Sequence, residues 1–232
     1  METAEGFVRW STSHWGAVIV TAIITIGIIG GGMRLEQKKQ HLLCRALAVL
    51  VGLIYVADSS FILITQHHGS WEMNLPLHYC SMMLLVATYA LWTRNTTACW
   101  VLYFGALSAC LQGLITPALE KDFPTLRYFL FFCVHGILVP AGLAVPLLLK
   151  MKARVRNIIT SLLLMDVYVI IIHAVNLTLG TTNYGFTMKS PVPGCILDYA
   201  GPAPWYYLLL QIPIFVIFYL MHLPVRQKIH HT

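Results

Sequence analysis

Long apolar stretches recur along the chain, and short polar segments separate them. Six stretches are uninterrupted and prolines cut a seventh; each is close to the roughly 20 residues that a helix needs to cross a bilayer. Strands of a membrane barrel would alternate apolar and polar residues, whereas Ala17–Ile29 and Val167–Ile172 are apolar on every side. The pattern predicts an all-α, polytopic membrane bundle of seven transmembrane helices, at 15–33, 43–65, 74–92, 97–117, 127–149, 156–178 and 203–223.

The composition is typical of a membrane protein. Hydrophobic residues make up 58% of the 232 residues and charged residues only 10%, whereas a soluble domain carries about 25% charged residues. This difference excludes an ordinary soluble fold and a disordered chain. Because seven helices use most of the sequence, we expect a single membrane domain over 1–232, with any activity in or at the bilayer.

The charged residues indicate how the chain is oriented. Most of the 15 lysines and arginines fall on one side of the predicted bundle: Arg34, Lys38, Lys39, Arg45, Arg94, Lys150, Lys152, Arg154, Arg156, Arg226 and Lys228. Six acidic residues share the other side: Glu2, Glu5, Glu72, Glu120, Asp122 and Asp198. Because basic loops stay in the cytoplasm, we expect an external N-terminus, a cytoplasmic C-terminus and a multi-pass protein of the cell membrane. On this interpretation the net charge of +6 reports orientation, and no nucleic acid is expected as a partner.

One loop, at 179–202, is much longer than the others. It is rich in glycine and proline, which excludes a helix, and it contains Tyr184, Phe186 and Tyr199. A long loop on a compact bundle is usually a lid, a plug or a linker. Its aromatic residues favour a packed lid on the outer side.

Ionisable and amide side chains occur inside the predicted helices, where they are costly and usually functional. They are Asp58, His78, Gln112, His135, Asp166, His173, Asn176 and Gln211. In the predicted orientation nearly all of them lie in the outer half of the membrane, which predicts one polar cavity beneath the lid. The alternative is that they only form hydrogen bonds between helices; the partner of Asp58 would then be a histidine or a tyrosine hydroxyl.

Cys80 is the most interesting of the six cysteines, which lack the CxxC spacing of zinc sites. It lies near the outer end of the third helix, whereas Cys44, Cys99 and Cys110 are expected to be inert buried residues. A neighbouring imidazole is the usual means of forming a thiolate nucleophile. His78 is poorly placed for this, because residues two apart point about 200° away from each other on a helix. His135 or His173 is the better candidate.

Several motifs resemble those of the YwaF-type bacterial integral membrane proteins. The first is Leu75-Pro-Leu-His-Tyr-Cys80, at the head of the third helix. The others are Ser11-Thr-Ser-His14, Leu114-Ile-Thr-Pro-Ala118, the segment from Phe123-Pro-Thr to Val134-His-Gly136, Thr182-Asn-Tyr-Gly-Phe186, and Leu197-Asp-Tyr-Ala-Gly-Pro-Ala-Pro-Trp-Tyr206. Together they cover essentially the whole chain. Gly185 departs from the family pattern, which carries a larger side chain there, and this predicts a looser lid.

The resemblance implies an enzyme. The bacterial family is related to vertebrate transmembrane protein 164, which is regarded as a cysteine-dependent phospholipid acyltransferase. By this resemblance Cys80 is the nucleophile, and a membrane phospholipid or lysophospholipid is the substrate. His135 would accept the thiol proton, with His173 as an alternative, and His78 would donate a hydrogen bond to the oxyanion.

The remaining polar residues would line the substrate cavity. They are Asp58, Gln112, Asp166, Asn176, Asn183 and Tyr184. Asn183 or Tyr184 is an alternative oxyanion donor, and Asp58 or Asp166 would orient a histidine as the third member of a triad does. No metal or other cofactor is expected.

Two other functions fit parts of the sequence. A seven-helix transporter or receptor would bind a small solute or a lipid without catalysis, but only Asp166 lies near the midplane, so a polar path through the inner half is missing. A microbial rhodopsin is excluded because the last helix has no lysine. His78, His135 and His173 would be the ligands if the protein bound zinc or haem.

Introduced cysteines test the predicted orientation. Cysteines at Glu72, Lys121 or Lys189 should react with a membrane-impermeant thiol reagent in intact cells, because these positions face outward. Cysteines at Gln37, Lys152 or Lys228 should react only after the cells are opened. The mass shift of the purified protein gives the extent of labelling, and the parent chain is the control. The reverse pattern would exclude both the orientation and a site in the outer half.

Overall fold

A computed structural model describes residues 6–65, 69–180, 182–191 and 196–227. Some residues used in the predictions above lie outside this range, namely Glu2, Glu5, Lys228, and 181 and 192–195 of the long loop. The α-helices of the described part are α1 Thr12–Met33, α2 Gln37–Thr65, α3 Tyr79–Thr93, α4 Thr96–Gly105, α5 Leu111–Ile115, α6 Leu126–Leu147, α7 Val155–Leu179, α8 Ile196–Tyr199 and α9 Tyr206–His222.

Six helical segments of the described residues are long and apolar enough to cross a membrane: Thr12–Met33, Gln37–Thr65, Thr96–Ile115, Leu126–Leu147, Val155–Leu179 and Tyr206–Val225. The third of these consists of α4, the π-helical turn Ala106–Cys110 and α5. The chain is therefore a helical, multi-pass membrane protein, as the apolar pattern predicts.

The predicted helix at 74–92 differs from the others. The α-helix begins only at Tyr79, so α3 has 15 residues and is about 22 Å long. Pro76 accounts for part of the late start, because a proline disfavours the helical conformation in the residue before it. Leu75 is accordingly extended, with ψ 143°. A seventh membrane span thus stays a prediction.

Helix α6 lies at the centre of the bundle, in contact with α1, α2, α3 and α4. Small residues on its surface permit this: a Cβ added at Gly136 would lie 3.0 Å from the hydroxyl of Thr21 on α1. Close packing at small residues is a common way for membrane helices to associate. Large apolar side chains point away from the bundle on other helices, for example Ile26, Ile170 and Ile212. Apolar side chains on the outer surface of the bundle are suited to contact with lipid.

The loops collect at two ends of the bundle. We call one the lid end, which carries 6–11, 69–78, 116–125, 182–191 and 196–205, and the other the basic end. Lysines and arginines dominate the basic end, where Arg154 Nε donates to Gln227 Oε1 at 2.6 Å and Arg94 Nη1 lies 3.1 Å from His41 Nδ1. The two ends therefore differ in charge, as predicted. The labelling experiment determines which end faces the outside of the cell.

A buried histidine anchors the start of α1 at the lid end. His14 Nδ1 accepts a hydrogen bond from the Trp10 amide at 3.0 Å, so Nε2 carries the proton and donates to the Leu114 carbonyl at 2.8 Å. The Tyr128 hydroxyl donates to the Ser13 carbonyl at 2.6 Å. These bonds join α1 to α5 and α6.

Part of the long loop folds back on α7, and we call residues 182–191 the lid. Asn176 is fully buried and holds the lid: its amide nitrogen donates to the Tyr184 carbonyl and the Thr187 hydroxyl, both at 2.8 Å. Its amide oxygen accepts from the Thr182 hydroxyl at 2.7 Å and from the Tyr184 N–H at 2.9 Å. Asn176 thus makes all four hydrogen bonds available to its side chain, which leaves none for a substrate.

Tyr184 joins the lid to the segment before α3. Its hydroxyl accepts from the Leu75 N–H at 2.8 Å and donates to the Glu72 carbonyl. Burial raises the pKa of Tyr184 above its ordinary value, so the hydroxyl keeps its proton. Asn183 forms a turn within the lid, because its amide oxygen accepts from the Met188 and Lys189 N–H groups at 3.0 and 3.1 Å.

Gly185 does not loosen the lid, contrary to the sequence prediction. It has φ +60° and is buried, and this left-handed conformation favours glycine. A Cβ there would lie 3.2 Å from the Tyr168 hydroxyl. The Gly185 carbonyl also accepts a hydrogen bond from the Tyr207 hydroxyl, so the position is closely packed on two sides.

Replacing Asn176 with alanine should release the lid. The change leaves buried groups of Thr182 and Tyr184 without partners, at a cost of about 1–3 kcal/mol each. Hydrogen exchange of the amides in 182–191 should accelerate. Asn157→Ala is the matched control, because Asn157 caps the opposite end of the same helix. Equal exchange in the two variants would show that Asn176 does not hold the lid.

Candidate functional site

Cys80 lies in the first turn of α3, two residues after the N-cap His78. It is half-buried and packs against the main apolar core. Asp58 of α2 and Arg127 of α6 interact with it electrostatically, and so does Tyr168 of α7. Side chains from α2, α6 and α7 therefore lie within electrostatic range of this sulfur on α3, and the shared site stays a prediction.

Opposing influences act on the Cys80 sulfur. The backbone N–H groups of Cys80 and Ser81 interact with it, because the first N–H groups of a helix have no partner within the helix. These amides, the helix dipole and the Arg127 guanidinium favour a thiolate. Apolar burial and the Asp58 carboxylate favour the neutral thiol. The Cys80 thiol is therefore placed so that a nearby base can remove its proton.

The partner of Asp58 is an arginine, not the histidine or tyrosine that the sequence suggested. Arg127 Nη1 donates to Asp58 Oδ1 at 2.8 Å, and the side chains are 20% and 7% exposed respectively. A buried carboxylate is costly unless a cation compensates its charge. Arg127 also interacts electrostatically with His135. Arg127 thus interacts with both the candidate nucleophile and a candidate base.

His135 is buried, and its tautomer is defined by its surroundings. Nδ1 is 2.8 Å from the Phe131 carbonyl, and the ring stacks on Phe131 with centroids 4.2 Å apart. Because a carbonyl only accepts, Nδ1 carries the proton and the neutral ring has its lone pair on Nε2. The Nε2 edge lies on Gly113, where an added Cβ would be 2.6 Å from Nε2 and 2.3 Å from Cδ2. His135 thus has the protonation state that a general base requires.

The other two candidate histidines have different surroundings. His78 packs on the lid, with ring centroids 5.2 Å from Tyr184 and 5.4 Å from Phe186. His173 is half-buried, and its Nδ1 has no hydrogen-bond partner among the described residues. No group of three or more His, Cys, Asp or Glu in this part of the chain is arranged to hold a metal ion. The three-histidine metal site is therefore not formed.

Asp166 and Gln112 lie apart from the Cys80 environment. Asp166 Oδ1 accepts from Gln211 Nε2 at 2.7 Å, which links α7 to α9. Gln112 is exposed, and its amide donates to the Thr116 hydroxyl at 3.0 Å. The prediction that Gln112 faces the bundle interior is wrong. The hydrogen bonds of Asn176 go to the lid and that of Asp166 goes to α9, and a single polar cavity stays a prediction.

Sequence reasoning missed several residues that shape the site. Neither Arg127 nor Gly113 is among the site residues predicted above. Tyr79 and Tyr168 pack edge to face with centroids 5.2 Å apart, and the Tyr168 hydroxyl donates to the Leu77 carbonyl at 2.9 Å. These tyrosines form the wall of the site on the α7 side.

The chain was compared with known proteins. No curated protein and no solved structure gives a significant match. The model of the TMEM164 family matches residues 9–222, a range that includes Cys80, Arg127, His135 and the lid. This match confirms the relation to transmembrane protein 164 that the motifs suggest, although it does not test the bacterial YwaF-type grouping. The chain belongs to the TMEM164 family.

Proposed function

We propose that the protein is a cysteine-dependent lipid acyltransferase with Cys80 as its nucleophile and His135 as its general base. The observation that carries the proposal is the environment of Cys80: its sulfur lies at a helix N-terminus and interacts with Arg127, which also interacts with His135. Family membership supports the same assignment. A helix N-terminus and a nearby guanidinium are features of the environments in which nucleophilic cysteines occur.

The proposed reaction has two steps. In the first, His135 Nε2 accepts the Cys80 proton while the sulfur attacks the ester carbonyl of a phospholipid. The C–O bond breaks, the leaving oxygen takes the proton from the imidazolium, and an acyl thioester and a lysophospholipid result. In the second, a lysophospholipid hydroxyl gives its proton to His135 and attacks the thioester. The C–S bond breaks, the thiol is restored and a new phospholipid forms.

The backbone N–H groups of Cys80 and Ser81 are the best donors for the oxyanion of each step. They already interact with the sulfur, and amides at a helix N-terminus are pre-oriented to stabilise negative charge. The earlier candidates Asn183 and Tyr184 are committed to lid contacts. His78 supports the lid through its ring contacts. The lid thus acts as a cover and the helix end as the oxyanion site.

The proposed setting is a seven-span protein of the cell membrane, with its N-terminus outside and its reaction in the outer half of the bilayer. The charge difference between the lid end and the basic end supports this orientation. The apolar exterior lets a phospholipid approach from the bilayer. Asp58 keeps Arg127 in place and is in this mechanism a positioning residue.

Intact-mass analysis tests the nucleophile. After incubation with phosphatidylcholine vesicles, the wild-type protein should carry an acyl adduct on Cys80, and Cys80→Ala should carry none. Cys133→Ala is the matched control: Cys133 is exposed on α6, and its removal should leave the adduct unchanged. An adduct that persists in Cys80→Ala protein would refute the assignment.

Gly113→Ala tests the role of His135 without altering the histidine. The added Cβ would be 2.3 Å from the ring, so the imidazole must move. If His135 is the general base, adduct formation should slow by roughly 10²–10⁴-fold, as in His135→Ala. Gly27→Ala is the control, because a Cβ there meets nothing within 4 Å. A normal rate in a folded Gly113→Ala protein would exclude His135 as the base.

A further inference from the structure

A long groove of about 550 Å³ runs between α3, α4 and α7. Each helix contributes one stripe of side chains at helical spacing: Met82, Met83 and Val86 from α3, Ala98 and Val101 from α4, and Leu164 and Met165 from α7. None of the described residues that line it is charged. Leu85, Tyr89 and Leu164 are exposed at its edge, so the groove opens towards the surrounding lipid.

The groove has a definite direction along the bundle. Tyr79 and Tyr168 close it at the lid end, and Asn95 and Thr97 mark the basic end. Its α3 wall runs from Tyr79 to Tyr89, which corresponds to about 15 Å of helix. That is half of the ~30 Å hydrocarbon core of a bilayer, and hence the length that a single acyl chain of one leaflet occupies.

The lid end of the groove adjoins the Cys80 environment. Met83 lies one turn below Cys80 on the same face of α3, and Tyr168 interacts electrostatically with the Cys80 sulfur. Gly105 shapes the wall at this point, since a Cβ there would lie 2.5 Å from the Tyr79 hydroxyl and 2.9 Å from the Met83 methyl carbon. Cys80 is not itself among the lining residues, and Tyr168 connects the groove to the sulfur. A chain in the groove would therefore have its ester end at the tyrosine wall of the Cys80 site.

We propose that this groove binds the acyl chain of the phospholipid that is transferred, with the ester at Cys80 and the chain end towards Asn95. The proposal rests on the assignment of Cys80 as the nucleophile. The apolar lining excludes a charged ligand, and the flexible methionine side chains adapt to an irregular hydrocarbon chain. A second groove, of about 370 Å³, is lined by Trp10 and by residues of α1, α5 and α6, and it serves as an internal comparison.

Photolabelling tests occupancy without turnover. The probe is phosphatidylcholine with a diazirine in the middle of one acyl chain, in vesicles containing Cys80→Ala protein. Label should concentrate on Met82–Val86, Ala98–Val101 and Leu164–Tyr168, severalfold above the α1 groove and exposed positions such as Ile212. Peptide mass spectrometry gives the distribution. Label spread evenly over the apolar exterior would overturn the proposal.

A groove-filling substitution provides the second test. Ala98→Phe should lower the groove label severalfold, whereas Ala46→Phe, at an exposed position of α2, should not. In protein that retains Cys80, Ala98→Phe should slow adduct formation from a long-chain phosphatidylcholine but not from a short-chain ester. Unchanged labelling and unchanged chain preference would exclude the groove.

The two proposals fail in different ways. Groove label in Cys80→Ala protein, together with no adduct on wild-type Cys80, would leave the groove as a lipid site and refute acyl transfer. An adduct on Cys80 without groove label would support acyl transfer and refute the groove as the acyl-chain site. If Ala98→Phe does not fold, the label distribution in Cys80→Ala protein still decides, because it needs no substitution in the groove.

Discussion

Hydrocarbon offers no hydrogen bonds to a polar group, and this constraint determines how the interior of the bundle is arranged. Three costly side chains are each matched to a partner on another element: Asp58 to Arg127, Asp166 to Gln211, and Asn176 to the lid. These pairs connect α2 to α6, α7 to α9 and α7 to its following loop. Polar groups that look like a single cavity in the sequence are therefore largely the links between helices.

The sequence predicts the six long helices well because a bilayer demands a long apolar run, and few other structures produce one. It predicts the third helix less well. Its apolar run extends through Leu75 and Leu77, but Pro76 keeps Leu75 extended and the helix begins only at Tyr79. That delay matters for function, because it places Cys80 in the first turn of a helix instead of its interior. Hydropathy does not show where the helix begins. The rule that a residue before proline avoids the helical conformation does indicate a later start.

The errors at individual site residues have equally local causes. Gln112 follows the π-helical turn Ala106–Cys110, and each extra residue in a helix rotates the following face by about 100°. A regular period counted from the start of α4 therefore assigns Gln112 to the wrong face. Arg127 begins the predicted helix at 127–149, and a long side chain there can extend to the interface or into the bundle. The close approach of His135 to Gly113 depends on tertiary packing, which helical periodicity does not contain.

The ion pair beside Cys80 has a consequence for the proposed reaction. Transfer of the thiol proton to His135 creates a thiolate and an imidazolium, but the site gains no net charge. Asp58 and Arg127 already form a neutral pair near the sulfur, so the positive charge of Arg127 stands close to the new thiolate. In an apolar surrounding such pre-oriented charges act more strongly than in water. The lid adds a second condition: by excluding water it disfavours hydrolysis of a thioester. A lysophospholipid hydroxyl arriving from the bilayer then becomes the preferred acceptor, which is the difference between a transferase and a lipase.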